Sequence, residues 1–314
     1  MKKFIIYKSK IVKLVLISVL SVFLIGSLLT GCASNVNQGT QPDPVVQEPQ
    51  NNDAVIMDNY KKLIESEAKP QDVFAFLDEN AKALSKESTA IIVNDLEKLQ
   101  NEYLLKLEEK YYENTEIQAA LSKIYLAKKD MNDPNNLGTE ALKNLINETI
   151  KGGYKVETAE GMFFPIVNYS VYKRYSAFLP EDFNAYIELM SVESDKVPAK
   201  DAALVIGWDE LLQRALKQEA FINKYSDSDK LSEVSKLYDK YKTFVFLGLN
   251  NTPLFAYEGN VMVENAKKVY ADIDFTTNDS QLKKELKKFM ELLKASNYKL
   301  TPEIDKFRGQ VIGV

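Results

Sequence analysis

Apolar residues recur along this chain at helical spacing. Leu282, Leu286, Phe289 and Leu293 step by four, three and four, with lysines and glutamates between them, and Leu204, Trp208, Leu211 and Ala215 repeat the pattern. Such a stripe gives a helix one face for a core and leaves the other to water. Helix starts show as residues that satisfy, or do without, the free amides of a first turn: Thr301-Pro302-Glu303, Leu179-Pro180-Glu181-Asp182 and Val197-Pro198-Ala199-Lys200-Asp201. Together these signals predict helices over 54–67, 71–84, 88–112, 115–129, 139–151, 158–177, 181–192, 199–224, 230–246, 261–272, 280–295 and 302–308. The predicted fold is all-α, an irregular multi-helix bundle, without the fixed period of a consensus solenoid. Alternating strand patterns are nearly absent. The best, 155–158 and 243–249, are short, and the second reads more easily as the apolar end of a helix.

Where the helical period fails, the chain divides. Residues 33–53 (ASNVNQGTQPDPVVQEPQNND) carry no aromatic residue and no apolar period, and read as a disordered tether. As a flexible coil it would span about 25 Å, stretched somewhat by Pro42, Pro44 and Pro49. Residues 54–314 form the helical ectodomain, long enough for one large core or two smaller ones. If there are two helical subdomains, they part at the turn-rich stretch 130–138.

Residues 1–31 hold five lysines and no acid, followed by an uncharged apolar run over 14–29, the n- and h-regions of a secretory signal. That run approaches the length of a membrane-crossing helix, so an uncleaved anchor is the competing reading. Leu29-Thr30-Gly31-Cys32 decides between them, because it resembles the lipobox of bacterial lipoproteins. The resemblance implies cleavage before Cys32 and acyl chains on that residue. Two chains anchor stably where one gives marginal binding, so the expected location is the extracytoplasmic face of the cell membrane. The chain as a whole resembles the helical surface lipoproteins of Gram-positive bacteria, with the specific likeness confined to residues 1–32.

Composition narrows the chemistry. The net charge of −5 becomes −10 once the five leader lysines are gone, which argues against a nucleic-acid partner. Cys32 is the only cysteine, so after lipidation no thiol remains for a disulfide, a nucleophile or a metal. There is no histidine, which excludes Ser-His-Asp and Cys-His catalysis, histidine-ligated metals and histidine pH switches. No cofactor motif is present: Gly152-Gly153 lacks the following glycine or lysine of a phosphate cradle and reads as a helix stop. Asp227-Ser228-Asp229 and the 130–136 stretch miss the EF-hand spacing and read as caps and turns, so no metal site is expected.

Two segments are candidates for recognition. Residues 161–175 gather aromatics around Pro165, and Tyr169, Tyr172 and Tyr175 would line a groove for sugar or peptide. The competing reading puts Phe163, Phe164, Ile166 and Val171 in the core and the three tyrosines at its edge, hydroxyls in water. Residues 250–260 make a connection longer than usual that carries Asn250, Asn251 and Tyr257, and are the first choice for a recognition surface; the alternative is a loop pinned by Leu254 and Phe255. For a glycan-cleaving enzyme the best-placed carboxylates are Glu160, Asp209 and Glu210, although with 45 acidic residues a solvated face explains each of them better. The leading expectation is therefore a non-enzymatic binding module whose partner is an envelope protein or cell-wall glycan. The alternatives are a carboxylate-dependent glycan-cleaving enzyme and the solute-binding component of a transporter. Solute-binding components are usually two-lobed α/β proteins, against which the scarcity of strands counts.

Overall fold

The computed structural model describes residues 52–276 and 280–314. The expected leader, Cys32 and nearly all of the tether lie outside the described residues. The described chain is predominantly helical: α1 (Asn52–Glu65), α2 (Pro70–Asn80), α3 (Lys86–Tyr112), α4 (Thr115–Leu126), α5 (Glu140–Lys151), the hairpin β1 (Tyr154–Ala159) and β2 (Met162–Val167), a 3-10 helix (Tyr169–Phe178), then α6 (Glu181–Asp195), α7 (Trp208–Lys224), α8 (Leu231–Leu247), α9 (Glu264–Ala271), α10 (Gln281–Ala295) and α11 (Pro302–Ile312). The all-α class read from the periodicity is the observed one. α1 starts inside the expected tether because Asp53 accepts hydrogen bonds from the Ser85 amide (2.8 Å) and the Ser88 hydroxyl (2.7 Å), tying it to the start of α3.

The core forms three buried clusters. The first gathers α1, α2, the 3-10 helix and α6, with Phe221 of α7 and Val234 of α8; the second α4, α5 and the hairpin; the third α7 to α11. At 27 residues α3 serves two of them, with Ile92, Val93 and Leu96 in the first and Leu107 and Tyr111 in the second. α10 follows its sequence stripe, with Leu282, Leu286, Phe289 and Leu293 all fully buried. Ser280 caps it, accepting from the Lys283 amide at 3.0 Å. The 130–138 stretch is sewn to the hairpin: Asn132 Oδ1 accepts from the Val156 amide at 2.6 Å and its Nδ2 donates to the Val156 carbonyl at 3.2 Å. Asp130 and Asp133 accept from amides two residues on, at 2.8 and 2.9 Å, as turn-making residues do.

Two expected helices are corrected. The α-helix expected over 158–177 is replaced in its first half by a hairpin, where β1 pairs antiparallel with β2 and turns at Glu160-Gly161, with φ of 51° and 75°, and in its second half by the 3-10 helix. Two consecutive left-handed residues are what a tight two-residue hairpin needs, and glycine at the second supplies one of them at no steric cost. The 199–224 helix begins only at Trp208. Before it, Ala199–Lys200 pairs with Ala203–Leu204 around Asp201 and Ala202, both left-handed at φ 50° and 55°. The Leu204 amide donates to Thr252 Oγ1 at 3.1 Å, a long-range bond that helical geometry would forbid. The helix expected at 261–272 is shorter, since Val261 pairs with Lys299, and the one expected at 302–308 runs on to Ile312.

Candidate functional site

Two of the three candidate tyrosines of the aromatic segment lie inside the protein. Tyr172 is fully buried and Tyr175 is 2% exposed, so neither offers a face to a ligand. Their hydroxyls are bound within the protein and not in water, as the edge reading had them: Tyr172 donates to Gln100 Oε1, and Tyr175 to Asp78 Oδ1 at 2.6 Å. A buried phenol keeps its proton when an acceptor is supplied, and burial pushes both hydroxyl pKa values up. Phe163 is buried, while Phe164, Ile166 and Val171 are half-buried. Buried Gln100 organises this region. Besides accepting from Tyr172 it donates to the carbonyls of Gly152 (2.7 Å) and Gly153 (3.2 Å), and its own carbonyl accepts from Tyr154 at 2.8 Å.

Tyr169 alone of the three reaches a groove, a space of about 430 Å³ between α3, α6 and α8 that it lines with Tyr186, Glu97 and Lys230. Lys230 Nζ donates to the Glu97 carboxylate and sits 4.8 and 4.7 Å from the ring centres of Phe183 and Tyr186. Tyr186 donates to the same carboxylate at 2.8 Å. Both charges are more than nine-tenths buried and face each other, so the floor of this groove is internally satisfied.

The 250–260 loop is built differently. Gly248–Leu249 pairs with Thr252–Pro253, leaving Asn250 and Asn251 as the turn, and Leu254 and Phe255 enter the third cluster as anchors. Gly248 turns at φ 74°, with Thr252 O within 2.4 Å of where a Cβ would stand, so no larger residue fits. Beyond the anchors Tyr257 is 74% exposed, yet its hydroxyl donates to the Asn250 carbonyl at 2.7 Å. The ring stands in solvent and is held there by its own loop. Beside it lies a groove of about 490 Å³, with Phe255 and Leu300 on its apolar side and Thr243, Asn250, Asn260 and Arg308 supplying polar groups. The Arg308 guanidinium lies 5.3 Å from the Phe255 ring centre and bonds Asp305 at 2.7 Å. Asn251 faces the Asp201–Ala202 turn: its Nδ2 donates to the Asp201 carbonyl at 2.5 Å and its amide to the Ala202 carbonyl at 2.8 Å.

The three candidate carboxylates do not meet in a cleft. Glu160 is exposed at the hairpin tip and Asp209 is exposed on the first turn of α7. Glu210 accepts from Lys196 and Arg214, each at 2.5 Å, and its pKa is held down, first by the Lys196 hydrogen bond. A general acid needs the opposite shift. Glu193 has a raised pKa from burial, but Tyr241 (2.6 Å) and Arg214 (3.2 Å) already occupy it.

Set against known protein families, curated proteins and solved structures, the chain matches none of them. Of the groove residues beside Tyr257, Thr243 and Arg308 carry no sequence signal of their own. They come from α8 and α11, and only the tertiary fold brings them to the loop.

Proposed function

We propose that this chain is a membrane-anchored extracytoplasmic lipoprotein, held by lipid on Cys32, whose helical domain is a binding module for a component of the cell envelope. The anchor reading rests on the Leu29–Cys32 lipobox behind a basic and then apolar leader. Among the described residues no helix is long and apolar enough to cross a membrane. The observation that carries the binding reading is Tyr257, a large ring kept in water and fixed by its hydroxyl bond to Asn250. Holding an aromatic in solvent forgoes its burial, about 2 kcal/mol, and a fixed ring loses little further entropy when a ligand stacks on it. The pairing of Glu210 and the separation of Glu160 from Asp209 favour binding over glycan cleavage. The all-α architecture favours it over a two-lobed solute receptor.

The full chain in mild detergent, sedimented with purified cell-wall sacculi while the supernatant is assayed for sugar fragments, tests this. Wild type is expected to pellet without release, and Tyr257→Ala to remain in the supernatant. Released fragments would install the enzyme in its place. Failure of wild type to pellet removes the glycan partner and leaves an envelope protein.

A further inference from the structure

Two grooves meet at one strained turn. The Tyr257 groove ends on Ala202, and a second space of about 470 Å³, between the β1–β2 hairpin and residues 197–201, ends on Asp201. The second groove is aromatic as well: Tyr112 is 46% exposed and its ring centre lies 6.4 Å from that of half-buried Phe164, with Met162 exposed beside them. Each space falls within the roughly 300–1,000 Å³ of ordinary ligand sites. The turn that joins them places Asp201 and Ala202 consecutively in the left-handed region, a strain of about 1–2 kcal/mol per residue, and Asn251 pins both carbonyls. The Ala199–Leu204 hairpin requires that conformation, and the 250s loop braces it from the other side. The loop therefore helps fix the junction between the two grooves.

The charges at this face indicate what it takes. Glu160 and Asp201 are exposed at the second groove, where Lys200 is already bonded to Glu157 at 2.6 Å. In the first, Arg308 is engaged with Asp305. The uncompensated charge is negative, so an anionic polymer is repelled. Exposed rings at both grooves suit the C–H face of a sugar, and Asn250, Asn260 and Thr243 suit its hydroxyl and amide groups. We propose that the two grooves form one extended site for a linear, uncharged, amide-bearing glycan, crossing the Asp201–Ala202 turn with Tyr257 on one side and Tyr112 and Phe164 on the other.

This inference rests on the glycan form of the binding reading, and calorimetric titration of the full chain with β-1,4-linked N-acetylglucosamine trimer and hexamer separates the two. The hexamer is expected to bind at least ten-fold more tightly than the trimer, because the second groove is engaged at high effective concentration once the first is filled. Tyr257→Ala is expected to lose at least ten-fold with both ligands. Tyr112→Ala is expected to bring the hexamer down to the trimer's affinity while leaving the trimer unchanged. Its ring is half exposed, so the fold should survive, and the thermal unfolding midpoint checks this. Hexamer affinity equal to the trimer's, or unaffected by Tyr112→Ala, overturns the extended site but leaves the Tyr257 groove standing. Absence of binding by either oligomer, or tighter binding of a glycerol-phosphate polymer, overturns the extended site and the glycan form of the binding reading together.

Discussion

Tyr172 and Tyr257 make the same kind of hydrogen bond, a phenol donating to an amide carbonyl oxygen, with opposite results. The oxygen that receives Tyr172 belongs to the Gln100 side chain, 72 residues away on α3 and itself buried. The one that receives Tyr257 is the Asn250 backbone carbonyl, seven residues away in the same exposed loop. A distant partner draws a ring into the core, while a local one fixes it where it stands. Both segments are aromatic in sequence, so the difference lies in where the acceptor comes from.

Truncating the rings gives the widest contrast. Tyr172→Ala is expected to cost about 3–5 kcal/mol, through the cavity and the orphaned Gln100 acceptor. Tyr257→Ala should stay within about 0.5 kcal/mol. Urea unfolding of both variants measures it, and a large loss at Tyr257 would mean that its ring supports the fold and not a ligand.

The glycines of the two regions sharpen the comparison. Gly153 and Gly259 share a left-handed backbone, at φ 76° and 78°, so alanine is strained at either, by about 1 kcal/mol. At Gly153 a Cβ would also stand 2.4 Å from the Phe74 ring and 2.6 Å from Gln100 Nε2, whereas at Gly259 its nearest neighbour is 3.9 Å away. Gly153→Ala should therefore destabilise by at least about 1 kcal/mol more than Gly259→Ala, from overpacking. Equal losses would show that the Gln100 region yields as readily as the loop.

The smallest effect is electrostatic. Glu210 has its pKa lowered in the folded protein, so it contributes stability above its unfolded value near 4.5 that is lost as pH falls through the folded one. Glu210→Gln should flatten the acid limb of the stability–pH curve below about pH 4.5, by about 1 kcal/mol, since Lys196 is exposed and buried Arg214 keeps its bond to Glu193. An unchanged acid limb would show that the Lys196 and Arg214 bonds contribute nothing measurable.

By itself the sequence determined the elements whose cause is local. The stripe of α10, the Thr301-Pro302 start of α11 and the all-α class follow from periods and caps that neighbours within a few turns can read. In the loop, the anchors Leu254 and Phe255 were also legible, since long connections with apolar pins carry their own signature. The β1–β2 hairpin left a faint trace: Glu160-Gly161 lies between aromatic and β-branched residues, but its first position is not the usual asparagine or aspartate. Tertiary structure alone decided the start of α7, where a bond to Thr252 outweighs helical propensity, and the burial of Tyr172, which depends on Gln100. It also decided the meeting of two grooves at Asp201 and Ala202. The physical reason is the same in each case: a hydrogen bond or packing contact between residues 48 or more positions apart can overturn a local preference of about 1 kcal/mol, and no short window of the chain contains both partners.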